Sequence, residues 1–209
     1  MGRWSIERVL PSNPMLHLST ARFSMSILAR LLTLVLLAAT CAAADLTLTA
    51  IDGTTHTPLI AKDGKPALFF FVSPFCSTTK AFVKEMNQIT ADHAGKVSVF
   101  VIECDPEVTR DVAIEHATLS EFNAPVLLDA TQELTRRLQA AVTPETVLVD
   151  ATGKVFYRGR INDLYLGPTK RQRAATTNDL REAITALLAG KPAPQPQEPA
   201  QGCKIGGIK

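Results

Sequence analysis

The polar and apolar positions between residues 45 and 190 fall into three patterns, and each predicts a type of element. Leu46, Leu48 and Ala50 alternate with polar residues, Asp52-Gly53 marks a turn, and residues 56–60 continue, which predicts an N-terminal β-hairpin. Residues 67–72, ALFFFV, are apolar throughout, the mark of a strand buried on both faces. After the corner Ser73-Pro74-Phe75 and Cys76, the residues Phe82, Met86 and Ile89 recur at i, i+4, i+7, which predicts a helix ending near Ala94-Gly95. A second buried strand is predicted at 97–102. Asp105-Pro106-Glu107 reads as a helix start, with a side-chain cap, proline at the first position and an acid in the first turn. That helix is expected to run to about Phe122, followed by a short strand at 126–128 and a short helix capped by Thr131 and reaching Ala140. Strands at 146–149 and 155–160 flank the turn Asp150-Ala151-Thr152-Gly153. A long polar loop, 162–177, leads to a last helix over 178–189, with Leu180, Ile184, Leu187 and Leu188 on one face and Gly190 closing it.

Strands that alternate with helices argue an α/β fold with a parallel core and right-handed crossovers, and the last two strands make a hairpin at one side. Beyond residue 190 the sequence becomes KPAPQPQEPAQGCKIGGIK, a composition that predicts an extended, poorly packing tail. At the other end, residues 26–44 carry Arg30, an apolar run and Ala42-Ala43-Ala44, the layout of a secretory signal cut after Ala44. The apolar run is short for a membrane span, so no membrane attachment is expected once it is removed. Thr40 ahead of Cys41 argues against a lipid anchor on Cys41. The stretch 1–24 sits oddly ahead of such a signal, which points to Met25 as the start. The expected organisation is thus a signal at 1–44, a domain at 45–190 and a tail at 191–209.

Composition narrows the function classes. The net charge of +2 resides in the leader. Setting aside its four basic residues and one acidic residue from totals of 22 and 20 leaves 18 against 19. No basic face speaks for nucleic acid. The histidines, His17, His56, His93 and His116, are scattered, and no Cys-x-x-Cys cluster offers zinc ligands or a haem attachment, so no metal or cofactor is called for.

Three cysteines remain after the leader: Cys76, Cys104 and Cys203. An odd count in an exported chain leaves a thiol unpaired or in exchange. Cys76 stands where a buried strand becomes a helix, and the unpaired N–H groups and positive dipole end of a helix start stabilise a thiolate, the reactive form. The competing reading is a small buried cysteine packed as an apolar residue. Cys104 closes the strand at 97–102 and reads as half-buried structure.

The order of these elements, with Cys76 after the first buried strand and Val142-Thr143-Pro144 before the late hairpin, resembles the thioredoxin-like fold over residues 45–190. The runs FFFVSPFC, VTPETVLVDATGKVFYRGRIND and ATTNDLREAITALLAGKP are similar to the exported redoxins of the TlpA and AhpC/TSA type, and Gly202-Cys203-x-Ile205 to an ending of some members. The resemblance implies a central mixed sheet flanked by helices with an N-terminal β-hairpin. It also implies a nucleophilic Cys76 and a cis Pro144 beside it that holds the Thr143 backbone open toward an extended substrate. Arg160, on the late hairpin, is a candidate for favouring the thiolate.

Departures from the pattern shape the expected chemistry. The second thioredoxin-type cysteine is replaced by Thr79, so a mixed disulfide at Cys76 needs another thiol to resolve it. Ser73 fits a peroxidatic motif, but Phe69 stands where that motif has proline. Lys80 replaces the second cysteine of copper-delivery relatives. Cys203, on its Pro-rich tether, is the candidate resolving thiol, against a tail thiol with no role or one that pairs with another protein. The expectation is an exported thiol–disulfide oxidoreductase or peroxiredoxin-like antioxidant protein that acts on a thiol or disulfide protein partner or a peroxide. The alternative is a non-catalytic binding module that recognises an extended segment at Pro144.

Overall fold

The computed structural model describes residues 45–208, so the secretory signal and the cleavage site expected from the sequence lie outside the described residues. The run ALFFFV forms β3 (Ala67–Val72), buried along its whole length in the middle of a seven-stranded sheet. Its neighbours are β4 (Ser98–Glu103), parallel, and β7 (Glu145–Val149), antiparallel. β5 (Val126–Leu128) adds in parallel to β4, and β8 (Val155–Gly159) pairs antiparallel with β7. β1 (Leu48–Ala50) and β2 (Thr55–His56) complete the far edge as an antiparallel hairpin beside β5, giving the order β2-β1-β5-β4-β3-β7-β8.

The pleat of β3 sends successive side chains to opposite faces, so one apolar run feeds two cores. Leu68, Phe70 and Val72 meet Phe82, Met86 and Ile89 of α1 (Ser77–Asp92) and Leu180, Ala183 and Ile184 of α4 (Asp179–Leu188). Ala117 of α2 (Arg110–Ser120) also packs on this face. Phe69 and Phe71 face the other way, toward Ile102, Leu127, Val147 and Leu134 of the short α3 (Glu133–Arg137). This is the α/β, thioredoxin-like arrangement, a mixed sheet flanked by helices behind an N-terminal hairpin.

Local polar chemistry moves several boundaries. β2 stops at His56 because the chain turns there, Ile60 N–H donating to Thr57 O at 3.0 Å, and Pro58 has no N–H to continue a ladder. Asp105-Pro106-Glu107 is a turn rather than a helix start. The Asp105 carboxylate accepts from Glu107 N–H at 3.0 Å and its carbonyl from Val108 N–H at 3.1 Å. The helix begins after Thr109, whose side chain accepts from Val112 N–H. Likewise Asp129, not Thr131, serves the start of α3. Its buried carboxylate accepts from Leu134 N–H (3.2 Å), Thr135 N–H (2.8 Å) and the Thr135 hydroxyl (2.6 Å).

The largest departure from expectation is the tail, which is not a loose tether. Gln197 spans β8, its side chain accepting from Arg158 N–H and donating to Phe156 O. Glu198 O accepts from Arg160 N–H at 3.1 Å, and Ala200 is buried. The last strand, β9 (Cys203–Lys204), pairs antiparallel with β6 (Val142–Thr143). Ile205 N–H donates to Ala141 O at 3.0 Å, and the Gln132 side chain bridges Gly206 O and Cys104 O. Two glycines make this approach possible. A Cβ on Gly159 would lie 2.3 Å from Glu198 O, and one on Gly202 would lie 2.0 Å from Thr143 O. The prolines suppress regular structure in the segment but leave it free to make these discrete contacts.

Candidate functional site

The C-terminal ends of β3 and β4 and the start of α1 meet at one point. Ser73 O accepts from Cys76 N–H at 3.1 Å and Ser73 Oγ from Phe75 N–H at 3.2 Å, so the corner after β3 is closed by its own hydrogen bonds. Cys76 is the N-cap of α1, in extended conformation. Its sulfur therefore stands at the first turn, near the positive end of the helix dipole, without a cap hydrogen bond of its own. Only 3% of Cys76 is exposed, so what reaches its sulfur is set by immediate neighbours.

Those neighbours include the tail. Cys76 Sγ lies 2.9 Å from Thr143 O, and Thr143 is the β-bridge partner of Cys203. The bond before Pro144 is cis. The two thiols are within hydrogen-bonding reach of each other. The N–H groups of the helix start favour the ionised form of both sulfurs, Thr79 acting on Cys76 and Ser77 and Thr78 on Cys203. The tail thus returns a second sulfur to the N-terminus of α1, where Thr79 has replaced the second cysteine of the helix itself. Thr79 is wholly buried, and its hydroxyl has no hydrogen-bond partner.

The environment treats the three thiols differently. Burial opposes ionisation of Cys76, but the Cys203 thiol, the Thr143 side chain and the Thr79 N–H, which all favour the thiolate, outweigh it and bring the thiol down to about 7. Cys203 is an exposed residue, but local loss of solvent around its sulfur and the adjacent Cys76 sulfur push it up to about 11, so Cys203 holds its proton at neutral pH. Cys104 is fully buried, not half-buried. Burial first, then the charges of Glu103 and Asp129, drive its thiol far up, and it donates to Val72 O at 3.3 Å. It lines a cavity of about 170 Å³ together with Cys76 and Cys203 but stays protonated there.

Other residues fall elsewhere or enter unexpectedly. Arg160 does not serve the thiolate, because its guanidinium is paired with Asp179 at 2.9 Å. Ser73 Oγ donates to Asp105 at 3.4 Å rather than to Cys76, and Phe69 lies wholly buried inside β3. Glu145 was not evident from sequence. Its buried carboxylate, pushed up by burial, accepts from Ala141 N–H at 2.6 Å and fixes the segment that β9 joins. Glu103, at the end of β4, is 1% exposed and pairs with His116 at 2.5 Å. An acid at the end of an apolar strand followed thirteen positions on by a histidine was the available signal for that pair. Among the described residues no helix is long and apolar enough to cross a membrane.

The model of the AhpC/TSA family matches residues 39–158, more than half of the chain. A hypothetical protein from Sinorhizobium meliloti is 27% identical, with a TM-score of 0.68 over 78% of this chain and 91% of that one. An uncharacterised conserved protein from Geobacillus kaustophilus is 27% identical, with a TM-score of 0.67 over 77% and 87%. A secreted disulfide oxidoreductase of Mycobacterium tuberculosis, homologous to DsbE of Escherichia coli, shares the fold at 20% identity, with a TM-score of 0.50 over 70% and 96%. None of the curated proteins compared with the chain matches it.

Proposed function

The chain belongs to the AhpC/TSA family, and from that premise we propose that it is an exported thiol–disulfide oxidoreductase in which Cys76 attacks and Cys203 resolves. The observation that carries this reading is the pairing of Cys203 with Thr143, whose carbonyl lies 2.9 Å from Cys76 Sγ. The family match ends at residue 158, so the resolving thiol comes from a segment outside it.

The steps balance as ordinary thiol–disulfide exchange. With its thiol brought down to about 7, Cys76 supplies thiolate at neutral pH. The thiolate attacks one sulfur of a substrate disulfide. A new S–S bond forms at Cys76, the substrate bond breaks, and the leaving thiolate takes a proton from water. Cys76 is then uncharged, so one cause of the raised Cys203 value is gone. Cys203 loses its proton to solvent and attacks Cys76 Sγ, closing Cys76–Cys203 and releasing the second substrate thiol. Two electrons pass from the protein dithiol to the substrate, and an external dithiol protein reopens the site. The direction in use follows the reduction potentials of the partners.

Two competing readings have less support. For a peroxide substrate, Ser73 Oγ is engaged by Phe75 N–H and Asp105, and Phe69 occupies the proline position from inside a strand. For a binding module, the Thr143 edge beside Pro144 is already taken by the chain's own β9. The test is chemical trapping. Oxidised protein should yield a linked Cys76–Cys203 peptide pair. Cys203→Ser should accumulate a mixed disulfide at Cys76, and Cys76→Ser should accumulate none. Absence of the linked pair, with Cys203→Ser turning over a disulfide substrate at the parental rate, overturns the assignment.

A further inference from the structure

Cys76 lines two cavities. One, about 170 Å³, holds Cys203, Thr143 and Cys104. The other, about 450 Å³, opens between α1 and α2 and is lined by Pro74, Lys80, Val83, Lys84, His116 and Leu119. Resting on the reading of Cys76 as nucleophile, we propose that this second cleft binds the substrate, and that it selects a small disulfide bearing carboxylates.

Three observations converge on it. First, disulfide exchange is an in-line displacement at sulfur: the attacking sulfur approaches opposite the one that leaves. Cys203 attacks Cys76 from the first cavity, so the substrate sulfur it expels leaves away from Cys203, and the second cleft is the other cavity that Cys76 lines. Second, β9 takes the Thr143 backbone groups that an extended polypeptide would pair with. The substrate therefore does not dock along that edge, and a cleft of this volume admits a compact molecule. Third, the cleft carries cations. Cys76, Lys80 and Lys84 fall at i, i+4, i+8, on one side of α1, so the two lysines stand one and two turns beyond the sulfur. Both are exposed, and among the described residues neither is in an ion pair. His116, which lines the cleft, is engaged by the buried Glu103 carboxylate at 2.5 Å. Pro74, Val83 and Leu119, the last 78% exposed, supply apolar contact for a short hydrocarbon chain.

The experiment uses the reduced full chain and three disulfides of matched length: those of thioglycolate (two carboxylates), mercaptoethanol (neutral) and cysteamine (two ammoniums). The rate of Cys76–Cys203 formation with each is divided by that disulfide's rate with free dithiothreitol, which removes intrinsic reactivity. At low ionic strength the normalised rate for the dicarboxylate should exceed that for the diammonium by about tenfold or more, the low end of the effect of a charge-lined cleft. The ratio should shrink as salt is added. Lys80→Met with Lys84→Met should bring it within about twofold of unity. Equal normalised rates for the three disulfides, or a ratio untouched by the double substitution, overturn the assignment of the cleft and leave the oxidoreductase reading standing. No reaction with any of them, and no Cys76–Cys203 linkage, defeats that reading itself.

Discussion

Gly202→Ala tests whether the tail sets the chemistry of Cys76. An added Cβ would lie 2.0 Å from Thr143 O and 2.7 Å from Thr143 C, roughly 1 Å inside the closest approach a methyl and a carbonyl tolerate. Both contacts are with backbone, so neither can rotate away, and strand pairing holds backbones at about 4.8 Å. β9 must therefore leave β6. Cys203 then hangs on the short segment after Ala200, since Gln197 and Glu198 still hold the tail to β8 and Ala200 stays buried. Its effective concentration at Cys76 falls to the millimolar range of a flexible linker. Closure of Cys76–Cys203 from a mixed disulfide should slow by about tenfold or more. The hydrogen bonds from Cys203 that help hold Cys76 at about 7 are also lost. If the thiol returns to about 8.5, the thiolate fraction at pH 7 drops from about half to about 3%. The assay is thiolate ultraviolet absorbance as a function of pH, with quenched-flow mass spectrometry for closure. Thermal denaturation alongside should show little loss, because β9 lies outside the main sheet. An unchanged titration near pH 7 with closure at the parental rate would refute the reasoning.

Further consequences can be measured. The reduced protein should gain stability between about pH 7 and 9, where Cys76 is ionised in the fold and protonated in the unfolded chain, and this gain should vanish in Cys76→Ala. Above about pH 9 the sign reverses, because Cys104 and Cys203, both pushed up in the fold, keep protons that the unfolded chain releases; urea titrations across pH read both limbs. Asp129→Ala should cost about 1–2 kcal/mol in chemical denaturation, since three donors at the start of α3 lose their acceptor. Glu103→Ala should cost about 2–3 kcal/mol, by opening a void at the end of β4 and leaving His116 without its partner, read as a lowered melting temperature.

The parts of the fold that could be read from sequence are those written in local pattern. The run ALFFFV reads as a strand buried on both faces, and β3 carries one core on each side of it. Phe82, Met86 and Ile89 state the buried face of α1 by spacing alone. Cys76 at the strand-to-helix junction was legible for the same reason: the helix start follows the strand at fixed distance, and the thiol stands at its N-cap. Caps were less legible, because several acids and hydroxyls near a helix start compete for the same N–H groups. Asp105 and Thr131 looked like caps, yet Thr109 and Asp129 do that work.

What the chain's sequence determined by itself is thus the α/β order, the twin cores and a lone cysteine at the mouth of a helix whose second cysteine is missing. Tertiary structure decided what completes that cysteine. Local pattern carries no information about a contact across 127 positions, and a Pro-rich composition reads as a tether whether or not it docks. The docking depends on shape instead: Gly159 and Gly202 lack the Cβ atoms that would strike Glu198 O and Thr143 O, and two backbones meet where any other residue would hold them apart. That close approach places Cys203 beside Cys76, and through it brings the Cys76 thiol down to about 7.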